Sequence, residues 1–349
     1  MAIPENRDLS FDAFRGLAII AVVAIHAAYL GGSPHSSGFL YYRQLLNFCI
    51  PVFFFISGYW ASRKQIDSLA GYDAFLWKRL SRIFVPYLFW SSLILGYSAV
   101  KTGNVDGYKT VFLLLTGGAC GGYYFVIAIA QLYILTPVLQ YLNRKLGGYG
   151  LILVLVFNMA CLLALYLSRL FDVIRHLPAA LPFYSWIIYY EIGLSWKWHY
   201  KRTVTPRKIR LFRPFVLFAI LASLLISVME VIIILSKYDN PAFAASPAKY
   251  STLLYSVCVI LGFLFYREYF RRLPRLFGTL GRYSFGIYLI NIIVLGQVVE
   301  IFNGFGIIHS FQPLHQFVLV VTTLSICLVL IGAARRMLPK FIYGKILGF

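Results

Sequence analysis

The sequence predicts an all-α fold: a polytopic membrane bundle of about ten transmembrane helices with both termini on the cytoplasmic side. Three observations carry that expectation. Of the 349 residues, 60% are hydrophobic and only 13% charged, with a mean hydropathy of +0.76. A soluble domain carries about 45–50% apolar and about 25% charged residues. Ten apolar stretches approach or reach the roughly 20 residues that a helix needs to cross a bilayer. The 32 Lys and Arg outnumber the 12 Asp and Glu, and they are unevenly placed along the chain.

The ten stretches are 10–30, 44–62, 83–100, 122–142, 149–168, 183–199, 213–236, 250–266, 283–302 and 314–334. They are continuous apolar runs rather than alternating ones, which excludes a β-barrel. The longest connection is only about 20 residues, so residues 1–349 read as a single transmembrane domain that must carry any chemistry itself. An even number of spans puts both termini on one side. That side collects 24 of the Lys and Arg, the other side 7, and Arg15 falls within the first span. The positive-inside rule then sets an N-in, C-in topology. It also accounts for most of the net charge of +20 without nucleic acid. The run REYFRRLPRLF (267–277) suits an interface with anionic membrane lipid. Arg15 interrupts the first span, which is expected to be retained rather than cleaved as a signal. The five cysteines are scattered without metal-ligand spacing and read as packing residues; no metal is expected.

The first span is the most informative. Charges inside a membrane are expensive and are functional candidates. At about 100° per residue, Asp8, Asp12, Arg15 and His26 share one stripe, and Arg15 and His26 lie three turns, about 16 Å, apart. On one reading, Asp8 or Asp12 holds Arg15, which lines a polar path to His26 as general base or acyl carrier. On the other, an Asp–Arg pair and an interhelical His are purely structural. In the second span, Ser57 and Gly58 allow close helix approach, with a hydroxyl near a site as the sharper reading. At the inner end of the third, Lys78, Arg79 and Arg82 form a basic cluster. Arg79 and Arg82 are spaced i,i+3, and paired guanidinium groups suit phosphate, although plain anchoring accounts for them equally. Pro86 then sets a kink or a first turn.

The glycines of 117–122 read as a re-entrant connector or, less simply, an anion nest, followed by Tyr124 in an aromatic belt. Among the intramembrane polar residues, Glu191 has no partner the sequence identifies, and Asn291 sits in the late block RYSFGIYLIN. His35, His176, His199, His309 and His315 fall in loops or near span ends and read as solvated.

Five blocks occur together and in order: FDAFRGLA with His26, PVFFFISGYW (51–60), KRLSRIFVPY (78–87), GYYFVIAIAQLYILTPVL (122–139) and RYSFGIYLIN (282–291). Together they resemble the membrane-bound acyltransferase 3 family, in its stand-alone form, over most of the chain. The resemblance implies transfer of an acetyl or succinyl group from cytoplasmic acyl-CoA (acetyl-CoA or succinyl-CoA). The acceptor would be a hydroxyl of a surface, exported or lipid-linked carbohydrate, at a bacterial-type inner membrane. It implies that His26 is the catalytic residue and that Arg15, Arg79 and Arg82 serve the donor side. With the residue reading above, the candidates are then His26, Arg15 and Asp12 for catalysis, Arg79, Arg82 and Lys78 for donor binding, and Ser57, Tyr124, Asn291 and Glu191 for substrate contacts. Two positions depart from the pattern: Asn291 stands where many members have His, and Tyr124 where many have Trp. The rival expectation is a transporter or flippase for a lipid-linked saccharide.

Overall fold

The computed structural model describes residues 8–30, 36–103, 106–173, 182–196, 206–305 and 313–349. The elements in chain order are α1 (Leu9–Leu30), α2 (Ser37–Leu46), α3 (Cys49–Ala61), α4 (Leu69–Thr102), α5 (Gly107–Thr116), α6 (Tyr124–Leu146), α7 (Gly148–Leu170) and α8 (Ile187–Ser195). They continue with α9 (Pro206–Tyr238), α10 (Pro241–Ala245), α11 (Tyr250–Phe265), α12 (Arg267–Phe270), α13 (Arg275–Arg282), α14 (Ser284–Gly304) and α15 (Pro313–Met337). Among the described residues, nine helical segments are long and apolar enough to span a membrane. The expected tenth segment, 183–199, differs. A 3₁₀ turn at Pro182–Ser185 breaks its start, and α8 runs for only 9 residues. That is about 14 Å of helix, less than half a bilayer core. The end of the segment, and His35, His176, His199 and His309, lie outside the described residues.

The chain divides into two compact units. The first comprises Met1–Phe53 and Val204–Ile331; the second comprises Phe54–Thr203 and Gly332–Phe349.

In the first unit, α1 packs along α13 and α14, and α9 along α11. The α1–α13 crossing is made by two glycines acting reciprocally. A Cβ on Gly16 would overlap the Phe277 carbonyl, and one on Gly281 would overlap the Asp12 carbonyl. Small residues let backbones meet this closely where lipid supplies no hydrophobic drive for association. Aromatic packing fixes the same end: Phe14 stacks on Phe263 at 4.2 Å, and Phe270 meets both edge-on. The α9 surface exposes Phe218, Leu221, Leu225 and Met229 along a helical stripe. Such a stripe is a liability in water and satisfied in lipid.

In the second unit, α3 and α8 repeat the device. A Cβ on Gly58 would overlap the Tyr190 carbonyl, and one on Gly193 the Phe55 carbonyl. The small residue after Ser57 is thus a packing residue, as its spacing suggested. Ser68 caps α4, its hydroxyl accepting from the Gly71 amide at 3.1 Å. Gly103, at φ 65°, ends the helix in the left-handed region where glycine has no steric penalty. Pro86 lies inside α4, so the helix runs through it rather than starting there. At 34 residues, α4 is about 51 Å long and overhangs a bilayer core of about 30 Å.

Candidate functional site

The first unit holds the α1 stripe. Asp12 is buried and its Oδ1 lies 3.5 Å from Arg15 Nη1, an i,i+3 pair in which Arg15 keeps 28% of its side chain exposed. Of the two acids offered by the sequence, Asp12 is the one that pairs with Arg15. Asp8 instead forms an ion pair with Arg267 from α12. The Ser10 amide and hydroxyl both donate to Asp8 Oδ1, at 3.1 and 2.5 Å, and Arg267 Nε donates to Ser10 Oγ at 3.0 Å. Arg267 also covers the Phe11 ring at 5.0 Å. Burial alone would raise the Asp8 carboxyl, but the Ser10 hydrogen bond and the Arg267 charge hold it below its ordinary value. The first arginine of the run 267–277 thus ties down the start of α1.

His26 lies three turns beyond Arg15 on α1 and is half-buried. Arg43 of α2 acts on it electrostatically, and on Lys249 as well. Lys249 is completely buried. Its ammonium donates to Ala244 O at 2.8 Å and to Gln44 Oε1 at 3.1 Å, and lies 3.9 Å from Glu230 Oε2. Gln44 Oε1 also accepts from Ser227 at 2.9 Å and from Asn47 at 3.2 Å, while the Ser251 hydroxyl donates to Glu230. The sequence reading missed this network because it counted Lys249 as an outer loop charge. The available signal was a complementary pair, Glu230 inside one span and Lys249 at the edge of the next.

Asn291 is buried in α14, and its amide nitrogen donates to Ile287 O at 3.0 Å and Tyr288 O at 2.7 Å. Among the described residues its Oδ1 has no hydrogen-bond donor. An Asn in this state accepts a hydroxyl proton but cannot itself titrate.

The second unit holds the basic cluster. Lys78 and Arg82 are exposed, whereas Arg79 is half-buried and fixed. Arg79 Nη2 donates to Trp60 O at 3.2 Å, and the guanidinium lies 5.7 Å from the Phe75 ring and 5.6 Å from that of Tyr133. A planar cation held against two rings is pre-organised for anion binding. The i,i+3 spacing gives Arg79 and Arg82 neighbouring positions but unequal environments. Ser57 is half-buried beside Gly58. Tyr124 stacks on Trp186, with ring centres 6.1 Å apart.

Glu191 of α8 does have a partner. Its Oε1 accepts from Asn143 Nδ2 of α6 at 2.5 Å, with both side chains buried. The neighbouring Tyr190 hydroxyl is hydrogen-bonded to Thr136 at 2.7 Å. One turn before Asn143, Gln140 accepts from the Ile66 amide at 3.1 Å and donates to Lys64 O at 2.9 Å.

Comparison with known proteins places these features in context. The chain is similar to YfiQ of Bacillus subtilis, assigned by name to the membrane-bound acyltransferases, at 26% identity over 274 residues, 74% of this chain and 71% of that protein. It is similar to the nodulation protein NolL of Sinorhizobium fredii at 28% over 142 residues, 40% of this chain and 38% of that one. It also resembles a Staphylococcus aureus protein named for export of poly-β-1,6-N-acetyl-D-glucosamine, at 24% over 325 residues, 88% of this chain and 84% of that one. No solved structure matches. Residues 8–332 match the acyltransferase domain that defines the acyltransferase 3 family, from the Asp8 anchor of α1 into α15. With that match over nearly its whole length, the chain belongs to the acyltransferase 3 family and is a multi-pass membrane acyltransferase.

Proposed function

We propose that the protein moves an acetyl- or succinyl-type group from cytoplasmic acyl-CoA to a hydroxyl of a surface or lipid-linked carbohydrate. The observation that carries this reading is the α1 stripe: a buried Asp12 holding Arg15, with His26 three turns further into the same helix. The acceptor oxygen attacks the thioester carbonyl carbon. A C–O bond forms, the C–S bond breaks, and His26 takes the hydroxyl proton and returns it to the departing thiolate. General base catalysis of this kind is worth about 10²–10⁴ in rate. Arg79, Arg82 and Lys78 serve the phosphates of the donor, and Asn291, with its unpaired Oδ1, accepts from a hydroxyl.

Counted over ten crossings, the charge bias supports an N-in orientation, and two spans from an inner N-terminus turn the Arg79 cluster toward cytosolic CoA at the inner membrane. The name of the Staphylococcus aureus relative supports a polysaccharide-linked acceptor. The test is acyl transfer by purified His26→Ala and His26→Gln. Both are expected to lose at least about a hundredfold in rate while retaining wild-type melting behaviour. Full activity in either variant removes His26 from the reaction.

A second reading, export of a lipid-linked saccharide, is favoured by that same relative's name and by the buried Lys249–Glu230 pair. Saccharide movement across vesicles without any turnover of acetyl-CoA selects it.

A further inference from the structure

Among the described residues of the second unit, two oxygens of one hydrogen-bonded pair of side chains lack a protein donor. Glu191 and Asn143 are 1% and 2% exposed. One oxygen of the acid is used by the Asn143 amide nitrogen, at 2.5 Å. Among the described residues, Glu191 Oε2 and Asn143 Oδ1 have no hydrogen-bond partner. Buried acceptors in native proteins are satisfied by protein, by ordered water or by a ligand, and an exception points to the missing partner. The pair has little freedom to turn away. Its helix α8 is pressed against α3 through Gly58 at the Tyr190 carbonyl and Gly193 at the Phe55 carbonyl.

The surroundings say which donors fit. Glu191 is next to Tyr190, whose ring centre is 6.2 Å from that of Tyr133. Tyr133 in turn lies under the Arg79 guanidinium at 5.6 Å. Arg79 and Glu191 both act electrostatically on Tyr190. Asn143 is followed by Arg144, which pairs with Asp67 in the connection before α4, the inward side by charge bias. The geometry therefore runs from a fixed cation, past two aromatic rings, to a pair of acceptor oxygens. An anion is repelled by those oxygens. A chain that begins at phosphates and then presents amide N–H groups between apolar methylenes matches the order.

We infer that Asn143 and Glu191 accept hydrogen bonds from the two amide N–H groups of the pantetheine arm of the acyl donor, with Tyr133 and Tyr190 walling the arm beyond the Arg79 phosphate site. This rests on the acyl-CoA reading above. It divides donor recognition in two: Arg79 holds the nucleotide end by charge, and the Asn143–Glu191 pair holds the arm by hydrogen bonding.

The experiment measures binding of acetyl-CoA and acetyl-pantetheine to the purified full-length protein in detergent, so that no acceptor is needed. Asn143→Leu and Glu191→Leu should each weaken both probes by about tenfold, the loss of one hydrogen bond. Glu191→Gln keeps one carbonyl acceptor where the carboxylate has two and should lose less binding than Glu191→Leu. Arg79→Gln should weaken acetyl-CoA alone, because acetyl-pantetheine has no nucleotide. If Asn143→Leu does not fold, Asn143→Ala removes the same acceptor with less bulk and carries the same expectation.

Equal binding by folded Asn143 variants and wild type overturns the inference. So does a loss in Glu191→Gln as large as in Glu191→Leu, which marks the carboxyl as structural. If wild type binds acetyl-CoA and Arg79→Gln weakens it while the Asn143 variants do not, the acyl-CoA reading stands and this inference falls. If wild type binds neither probe, both fall.

Discussion

The ammonium of Lys249 lies 3.1 Å from Oε1 of Gln44 in complete burial. It joins residues 205 positions apart, on α2 and immediately before α11. A buried cation is tolerable when it is hydrogen-bonded and paired, and here Ala244 O and Gln44 accept from it while Glu230 supplies the opposite charge at 3.9 Å. Lys249→Met leaves Glu230 and Gln44 without their cation. We expect it to destabilise the folded protein by about 2–4 kcal/mol, with most of the loss recovered in Lys249→Met/Glu230→Gln. Thermal melts in detergent check this. A single variant as stable as wild type would show that the pair contributes nothing.

The reciprocal glycine contact of α1 and α13 gives a sharper comparison within one short helix. Gly281→Ala puts a methyl group onto the Asp12 carbonyl, whereas a Cβ on Gly278 meets nothing within 4 Å. Gly281→Ala should cost about 1–3 kcal/mol and depress acyl transfer, and Gly278→Ala should be neutral or stabilising by up to about 1 kcal/mol. Equal melting temperatures for the two variants would remove the contact from the account.

Asp8 and Arg267 make acid stability a third test. The folded carboxyl lies below its ordinary value of 3.8. Its contribution is therefore complete above that ordinary value and is lost as pH falls through the lower folded value. Wild type should melt above Asp8→Asn at about pH 6, and the gap should narrow as pH falls below the ordinary carboxyl value of 3.8. A gap independent of pH would assign the effect to packing instead.

Arg79 and Arg82 should not contribute equally to donor use. Arg79 is held by Trp60 O and two rings, while Arg82 is exposed. Arg79→Lys loses the planar cation as well as its bond to Trp60, so it should raise the KM for acetyl-CoA by about tenfold. Arg82→Lys should stay within about threefold, because an exposed lysine keeps the charge. Steady-state kinetics with acetyl-CoA decide it, and the reverse ranking would move the phosphate site toward Arg82.

What the sequence disclosed follows from how local each feature is. Asp12 and Arg15 share a helix face by spacing alone, so their pairing was readable from α1 before any packing was known. The same arithmetic left Asp8 as an equal candidate, because its true partner, Arg267, comes from an element 259 residues away. Glu191 and Lys249 were opaque for that reason: Asn143 and Gln44 approach them only through tertiary packing. The segment 183–199 was counted as a span because hydropathy registers apolar content. It does not register the proline-led 3₁₀ turn at Pro182–Ser185 that precedes α8. Pro86 was read as a kink or a first turn, and α4 continues on both sides of it, which removes the first-turn alternative.

The clamp at Gly16 and Gly281 has a consequence for how α1 can be altered. His26 sits ten residues past Gly16, so its bearing is indexed by a contact about 15 Å away. A one-residue slip of α1 through that clamp would swing the imidazole by about 100° and move it about 1.5 Å along the axis. Inserting or deleting a single residue between positions 17 and 25 should therefore disable the helix as a tool while leaving it intact as a membrane span. Exchanges at the lipid-facing stripe of α9, by contrast, turn nothing.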